Sequence, residues 1–512
     1  MNNINIRTFF FAGLILFSAC NKTPEALINP PYAETSLDNN GGNWKTILLT
    51  NSSEINVPTP VAAGSDQYQS EISALKATMS TASDENKEAV QYWGANGVVR
   101  WHEIARELAA NYNAAPNYNA DGTYPVPDAN NPTAYPRFPF ANPPYASRAF
   151  ALLAVAQYDA LVTAWKAKFA HNRLAPYKND ISIQPLLPTN DLPSYPSEDA
   201  VVAAASREVL KFLFPGEKPY LDELSTEHKN TRLWGGMNVQ SDVDAGDSLG
   251  VAVAKRIIAY AKTDRMGAAN KQTDFPLLQA DATSRGITSQ WRSLEIPARP
   301  PLLPFFGNVK PWNFSDSTKV AIRPPAPPLP GSAEYEADLA EMRDLAKNRT
   351  TEQYRIAAYW ADGTGTYTPP GHWNRKATEY IYEKQLNEIR SARVMALLTT
   401  AIQDAGIACW DTKYYYLGQR PTDVSASIKT ATGIPNFPGY ISGHSTFSGA
   451  AAEVLAFIFP DKAAEVRNMA LEASESRIYG CIHFRVDCEV GLEFGKRIGG
   501  FAVNRGRNDG AQ

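Results

Sequence analysis

The sequence predicts an all-α protein made of two tandem helical bundles related by internal duplication. Three observations lead there: a gapless self-match, helical stretches that are apolar around most of their circumference, and almost no alternating β-branched pattern. The self-match runs at a shift of 245 residues, which carries Trp165 onto Trp410. In the same register Arg148 falls on Arg393, Asp159 on Asp404, Lys168 on Lys413, Pro193 on Pro438, Ser197 on Ser442, Arg232 on Arg477 and Asp242 on Asp487. Chance similarity between Ala/Leu-rich helices does not align Trp, Pro and charged residues in one register. A looser match, Tyr92-Trp93 with Tyr359-Trp360, opens each copy.

Within each copy, Ser147 to Lys168 and Ala392 to Lys413 are apolar on nearly all sides, as a central bundle helix is. Val201 to Phe214 and Ser448 to Phe459 repeat the helical pattern and stop at proline. The chain of 512 residues exceeds the usual reach of one growing core, in keeping with two packed units. A net charge of -4, with no run of Lys or Arg, excludes a nucleic-acid stripe. The 37 prolines predict long ordered connections between helices.

At the N-terminus, Arg7 followed by the apolar stretch Thr8 to Phe17 reads as an export signal too short to span a bilayer. Ser18 and Ala19 before Cys20 are similar to a bacterial lipoprotein cleavage box. That resemblance implies an acylated Cys20 and an exported protein anchored to a membrane in the periplasm or at the bacterial cell surface. Plain secretion with a free Cys20 is the alternative. The sequence is thus divided into a signal peptide (1–20), a stalk (21–85), a degenerate helical bundle (86–262), a Pro-rich connection (263–335) and a catalytic helical bundle (336–512). Cys409, Cys481 and Cys488 remain. Buried thiols and one Cys481–Cys488 bridge are both open.

Three segments of the second copy gather cations and hydrogen-bond donors: Lys413 with Arg420-Pro421, then Ser442-Gly443-His444, then Ser476-Arg477 with His483. Arg forks, a Lys point charge, a Ser hydroxyl, a Gly N–H and two imidazoles suit a tetrahedral oxyanion, to which a helix N-terminus near Ser448 would add its dipole. Singly, each of these residues has an ordinary structural reading. Jointly, Lys-x6-Arg-Pro, Ser-Gly-His and Ser-Arg-x5-His resemble the signature shared by vanadium haloperoxidases and type 2 phosphatidic acid phosphatases, which implies a vanadium-chloroperoxidase-like fold.

The resemblance implies roles for individual residues. His483 would bond vanadium, or attack phosphorus in a phosphatase. His444 would be the acid/base, and Lys413, Arg420, Ser442, Gly443 and Arg477 would hold the vanadate or phosphate oxygens. Asp362 resembles the aspartate that orients the acid/base histidine in chloroperoxidases, with an Asx turn before Gly363 as the plainer reading. Trp410 and Phe437 resemble an aromatic halide pocket, with core packing as the alternative; Trp165, kept in the first copy, argues for core. His102, His171, His228 and His372 are read as structural. The repeat places Ala175, Asp199 and Asn238 where the second copy has Arg420, His444 and His483, so only the second copy is expected to act.

Three functions remain. A vanadate-dependent haloperoxidase would take hydrogen peroxide and a halide, with phosphate able to occupy the vanadate site. A soluble acid phosphatase would use a phosphohistidine intermediate on a phosphate ester. A surface-binding lipoprotein would not catalyse at all, and the intact set of cage residues counts against it. The size and the paired bundles resemble a haloperoxidase; the oligomeric state is not legible.

Overall fold

A computed structural model describes residues 29–511. The export signal and Cys20 lie outside the described residues. In the first half the helices are α1 (Asp66–Ser80), α2 (Asp84–Trp93), α3 (Gly97–Tyr112), α4 (Pro143–His171), α5 (Pro176–Asn179), α6 (Glu198–Leu213), α7 (Lys218–Trp234) and α8 (Gln240–Ala261). The connection carries α9 (Phe275–Ser284) and α10 (Asp316–Ile322). The second half comprises α11 (Ala333–Asn348), α12 (Thr351–Tyr359), α13 (Thr368–Glu383), α14 (Glu388–Tyr416), α15 (Pro421–Val424), α16 (Gly443–Ile458), α17 (Ala463–Tyr479) and α18 (Arg485–Arg507). Among the described residues there is no strand, and no helix is long and apolar enough to cross a membrane.

The two long helices α4 and α14, each of 29 residues, pack against one another and are buried along most of their length. One hydrophobic core therefore runs through both halves rather than one through each. The duplication persists in the contacts. Arg148 pairs with Asp264 at 2.6 Å and donates to the Ala261 carbonyl; Arg393 pairs with Asp509 at 2.6 Å and donates to the Gly506 carbonyl. Both long helices end on a left-handed residue, Asn172 or Leu417, whose N–H returns to the carbonyl of Lys168 or Lys413. The looser match is structural too, since Trp93 donates to Glu227 and Trp360 to Glu472, each at 2.8 Å.

Two sequence readings change. Residues 29–85, read as a stalk, lie against the helices: Trp44, Leu49, Tyr68, Ile72 and Leu75 are buried. The Pro-rich connection also packs, and it does for the second half what residues 41–49 do for the first. In each half a buried aspartate of the long helix gathers backbone N–H groups from the passing strap. Asp159 accepts from Ile47, Leu48 and Leu49 at 2.7–2.8 Å, and Asp404 from Trp312 and Asn313 at 2.7 and 2.9 Å. Burial pushes these carboxyls up, to about 6 and about 7. Upstream, Gly42 and Gly307 touch the backbone of Lys166 and Asp411, where an added Cβ would stand 2.4 and 2.6 Å away. Only glycine permits that approach. Cys409, Cys481 and Cys488 are free and buried, so the Cys481–Cys488 bridge is not formed.

Candidate active site

The start of α16 differs from the sequence reading in a way that matters. The helix begins at Gly443, not near Ser448, so Ser442 is its N-cap and Gly443 and His444 occupy its first turn. Ser442 Oγ accepts from Ser445 N–H at 3.3 Å, and the hydroxyl also stands within hydrogen-bonding reach of the Cys488 thiol. An added Cβ on Gly443 would meet Trp410 at 3.7 Å and Phe447 at 3.9 Å, both ordinary contacts. Packing thus does not demand glycine; what its absent side chain leaves open is the N–H at a helix N-terminus.

Around this turn the fold converges the cations. Lys413, on the last turn of α14 and wholly buried, donates to the carbonyls of Pro438 and Gly439, each at 2.8 Å. Arg420, immediately before α15, donates through Nε to the Phe437 carbonyl at 2.9 Å and through Nη1 to the Ile482 carbonyl at 2.7 Å. The same Nη1 lies 3.3 Å from His483 Nε2. Arg477, in the last turn of α17, donates to Ser476 Oγ at 2.8 Å and to the Ala357 carbonyl at 3.0 Å. Burial lowers Lys413 to about 8, with Arg420 adding to the effect, and lowers Arg420 and Arg477 to about 10.

His483 is tied from behind. Its Nδ1 lies 3.0 Å from Asp487 Oδ2, and this carboxylate also accepts from Phe484 N–H at 3.2 Å. A carboxylate at Nδ1 fixes the Nδ1–H tautomer and leaves Nε2 with its lone pair. Burial and then the Arg420 and Lys413 charges hold His483 well below the ordinary histidine range, so it is neutral. Burial raises the Asp487 carboxyl to about 7, opposed by Lys413. Asp487 was not singled out as a site residue, although the i, i+4 spacing from His483 and its repeat partner Asp242 were both visible in the sequence.

His444 keeps part of its surface open. Desolvation and then Arg477 lower it well below the ordinary range, while the carbonyls of Ala361 and Trp360 favour its protonated form. Asp362 does not orient it. The Asp362 carboxylate turns to His372 Nδ1 at 3.2 Å, and the His372 ring stacks on Trp360 at 4.3 Å. Asp362 has φ +43°, which puts its backbone in the left-handed region and aims the side chain at α13. Its charge still reaches Arg477, which it favours in the protonated form. The groups that face His444 are the backbone carbonyls of Trp360 and Ala361, just before Asp362.

Phe437 forms one wall of the cage, its ring centroid 5.1 Å from Lys413 Nζ and 5.1 Å from the Arg420 guanidinium carbon. Trp410 lies behind it at 5.0 Å between ring centroids and donates to the Leu302 carbonyl. Trp165 in the first half donates likewise to the Leu37 carbonyl, which makes the tryptophan a strap anchor in both halves. The converging group suits vanadate or phosphate: buried Arg420 Nη2, a donor, and His444 Nε2, a donor or an acceptor by tautomer, have no protein partner among the described residues.

Residues 393–509 match the PAP2 superfamily, so the second half of the chain carries a domain of that superfamily, which joins haloperoxidase-type and phosphatase-type proteins. Among individual relatives, vanadium chloroperoxidase of Curvularia inaequalis is 29% identical over 138 residues, 21% of this chain and 23% of that protein. The match thus spans under a quarter of the relative's length. The fold is similar to the first bacterial vanadium-dependent iodoperoxidase crystal structure, with 24% identity over 71% of this chain and 91% of that one, at a TM-score of 0.55. It is also similar to a holo-type bacterial vanadium-dependent chloroperoxidase, with 14% identity over 75% and 96% of the two chains, at a TM-score of 0.50.

Proposed function

We propose that this protein is a vanadate-dependent haloperoxidase that oxidises a halide with hydrogen peroxide at vanadate held by His483. The observation that carries this reading is a neutral His483 with Nδ1 tied to Asp487 and Nε2 beside the buried Arg420 guanidinium, whose Nη2 has no protein partner among the described residues. The paired-bundle fold and the local likeness to a chloroperoxidase favour halide oxidation over ester cleavage. When bound, vanadate supplies a Lewis-acidic centre at which peroxide oxygen becomes electrophilic toward halide.

The chain's own groups do the rest. His483 Nε2 would offer its lone pair, and Lys413, Arg420, Arg477, Ser442 Oγ and Gly443 N–H would hold the oxygens in a water-poor, preorganised shell. Each such donor contributes about 3 kcal/mol on removal. His444, neutral at ordinary pH, would take a proton from peroxide at Nε2 and return it to the departing oxygen. The Phe437 wall would leave halide a weakly hydrating surface beside the Lys413 and Arg420 charges. Acylation of Cys20 would place this activity on a bacterial membrane, in the periplasm or at the cell surface.

The test uses protein freed of vanadate and phosphate. Iodide or bromide oxidation should appear only when vanadate is restored, and phosphate should slow that recovery. Rapid phosphate ester cleavage by the stripped protein, with no vanadate-dependent halide oxidation at any pH, would replace this reading with a phosphohistidine phosphatase.

A further inference from the structure

In the first half, Glu198 and Asp199 open α6 where Gly443 and His444 open α16. We propose that the Glu198 carboxylate is an internal anion occupying the first half's own cage, so that this half is a latent oxyanion site. The two lysines are seated alike: Lys168 Nζ donates to the Pro193 carbonyl at 2.6 Å, as Lys413 does to Pro438. Lys168 then reaches Glu198 Oε2 at 2.6 Å. Arg232, in register with Arg477, stands 3.8 Å from Glu198 Oε1 and 3.0 Å from Asp199 Oδ2. One carboxylate thus bridges the lysine and the arginine that in the second half face the cage, as two oxygens of a tetrahedral anion would.

The paired arginines record the difference. Burial lowers both, but in Arg232 the Asp199 and Glu198 charges outweigh it and the group ends raised, whereas Arg477 ends lowered to about 10. Asp199 is held further by His228 Nε2 at 3.0 Å. A cavity of about 100 Å³ remains beside Glu198, Arg232 and Asn238, with the carboxyls of Glu34, Asp199 and Glu388 also on its wall. Glycine at 443 is not forced by packing, so the exchange of Gly for Glu between the halves is an exchange of ligand for side chain.

The proposal takes from the preceding reading only that the matching residues of the second half hold an oxyanion. The experiment is calorimetric titration of the full chain with inorganic phosphate. Glu198→Gly/Asp199→His, which restores Ser-Gly-His in the first half, should bind one more phosphate per chain than the wild type, and adding Arg232→Gln should abolish the extra site. Because the readout is a difference, failure of the second-half reading would show as a wild type that binds none. A folded double variant that binds no more than the wild type overturns the proposal. Should that variant not fold, Glu198→Gln must lower the thermal midpoint and Lys168→Met in the same chain must restore part of it; no such rescue also overturns it.

Discussion

Asp487 Oδ2 stands 3.0 Å from Nδ1 of His483, and each residue is 2% exposed. Asp487→Asn should keep the Phe484 N–H contact but loosen the tautomer, lowering vanadate affinity about 10- to 100-fold with little loss of thermal stability. Titration of halide-oxidising activity with vanadate, alongside a melt, reads both. Unchanged affinity would reduce Asp487 to a helix cap.

His483 and His444 should separate on mutation. His483→Ala is expected to abolish turnover and leave only weak electrostatic anion binding through Lys413, Arg420 and Arg477. His444→Ala should lower turnover about 100-fold or more while sparing binding, because an acid/base acts mainly in the transition state. Loss of vanadate binding first in the His444 variant would reverse the assignment.

The removal of Asp362 makes a sharper test now that its partner is known. With Asp362 on His372 rather than His444, Asp362→Asn should leave the acidic limb of the pH–rate profile in place and lower turnover by less than about 10-fold. A displaced acidic limb would show that Asp362 does govern His444 during turnover.

Anion binding should take up protons. Lys413, lowered to about 8, is partly deprotonated at pH 8, and an anion beside it favours the charged form, raising its pKa. Sulfate, which does not titrate there, should therefore bind with uptake of about half a proton at pH 8, falling toward zero near pH 6 where Lys413 is already charged. Calorimetry in buffers of different ionisation enthalpy measures it; proton release would have the wrong sign. The same shift makes the folded chain bind fewer protons than the unfolded chain between about 8 and the ordinary lysine value. Lys413 alone thus costs stability at pH 7, and that cost fades as pH rises through this window.

Phe437→His tests the aromatic wall. Its backbone carbonyl would still hold Arg420, so vanadate affinity should change little, while a polar ring between two cations should alter the ratio of bromide to iodide oxidation. Equal ratios in the two proteins would leave Phe437 as packing.

Much of this protein is legible from sequence alone because its information is local or periodic. Helical class, the 245-residue register and the spacing of Lys413, Arg420, Ser442-Gly443-His444, Arg477 and His483 are all properties of order along the chain. They determined the superfamily and which half keeps the full cation set. Partner choice depends instead on which distant side chains meet in low dielectric, and only the tertiary structure decided it. Asp362 chose the His372 of α13, and the carbonyls of Trp360 and Ala361 came to face His444. The Pro-rich segment that reads as extended connection became a packed strap because buried Asp404 needs donors and its backbone N–H groups supply them. At position 198 the sequence shows a glutamate where its copy has glycine; that this carboxylate lies between Lys168 and Arg232 follows from the convergence of α4, α6 and α7, where an opposite charge offsets part of the cost of burying the two cations.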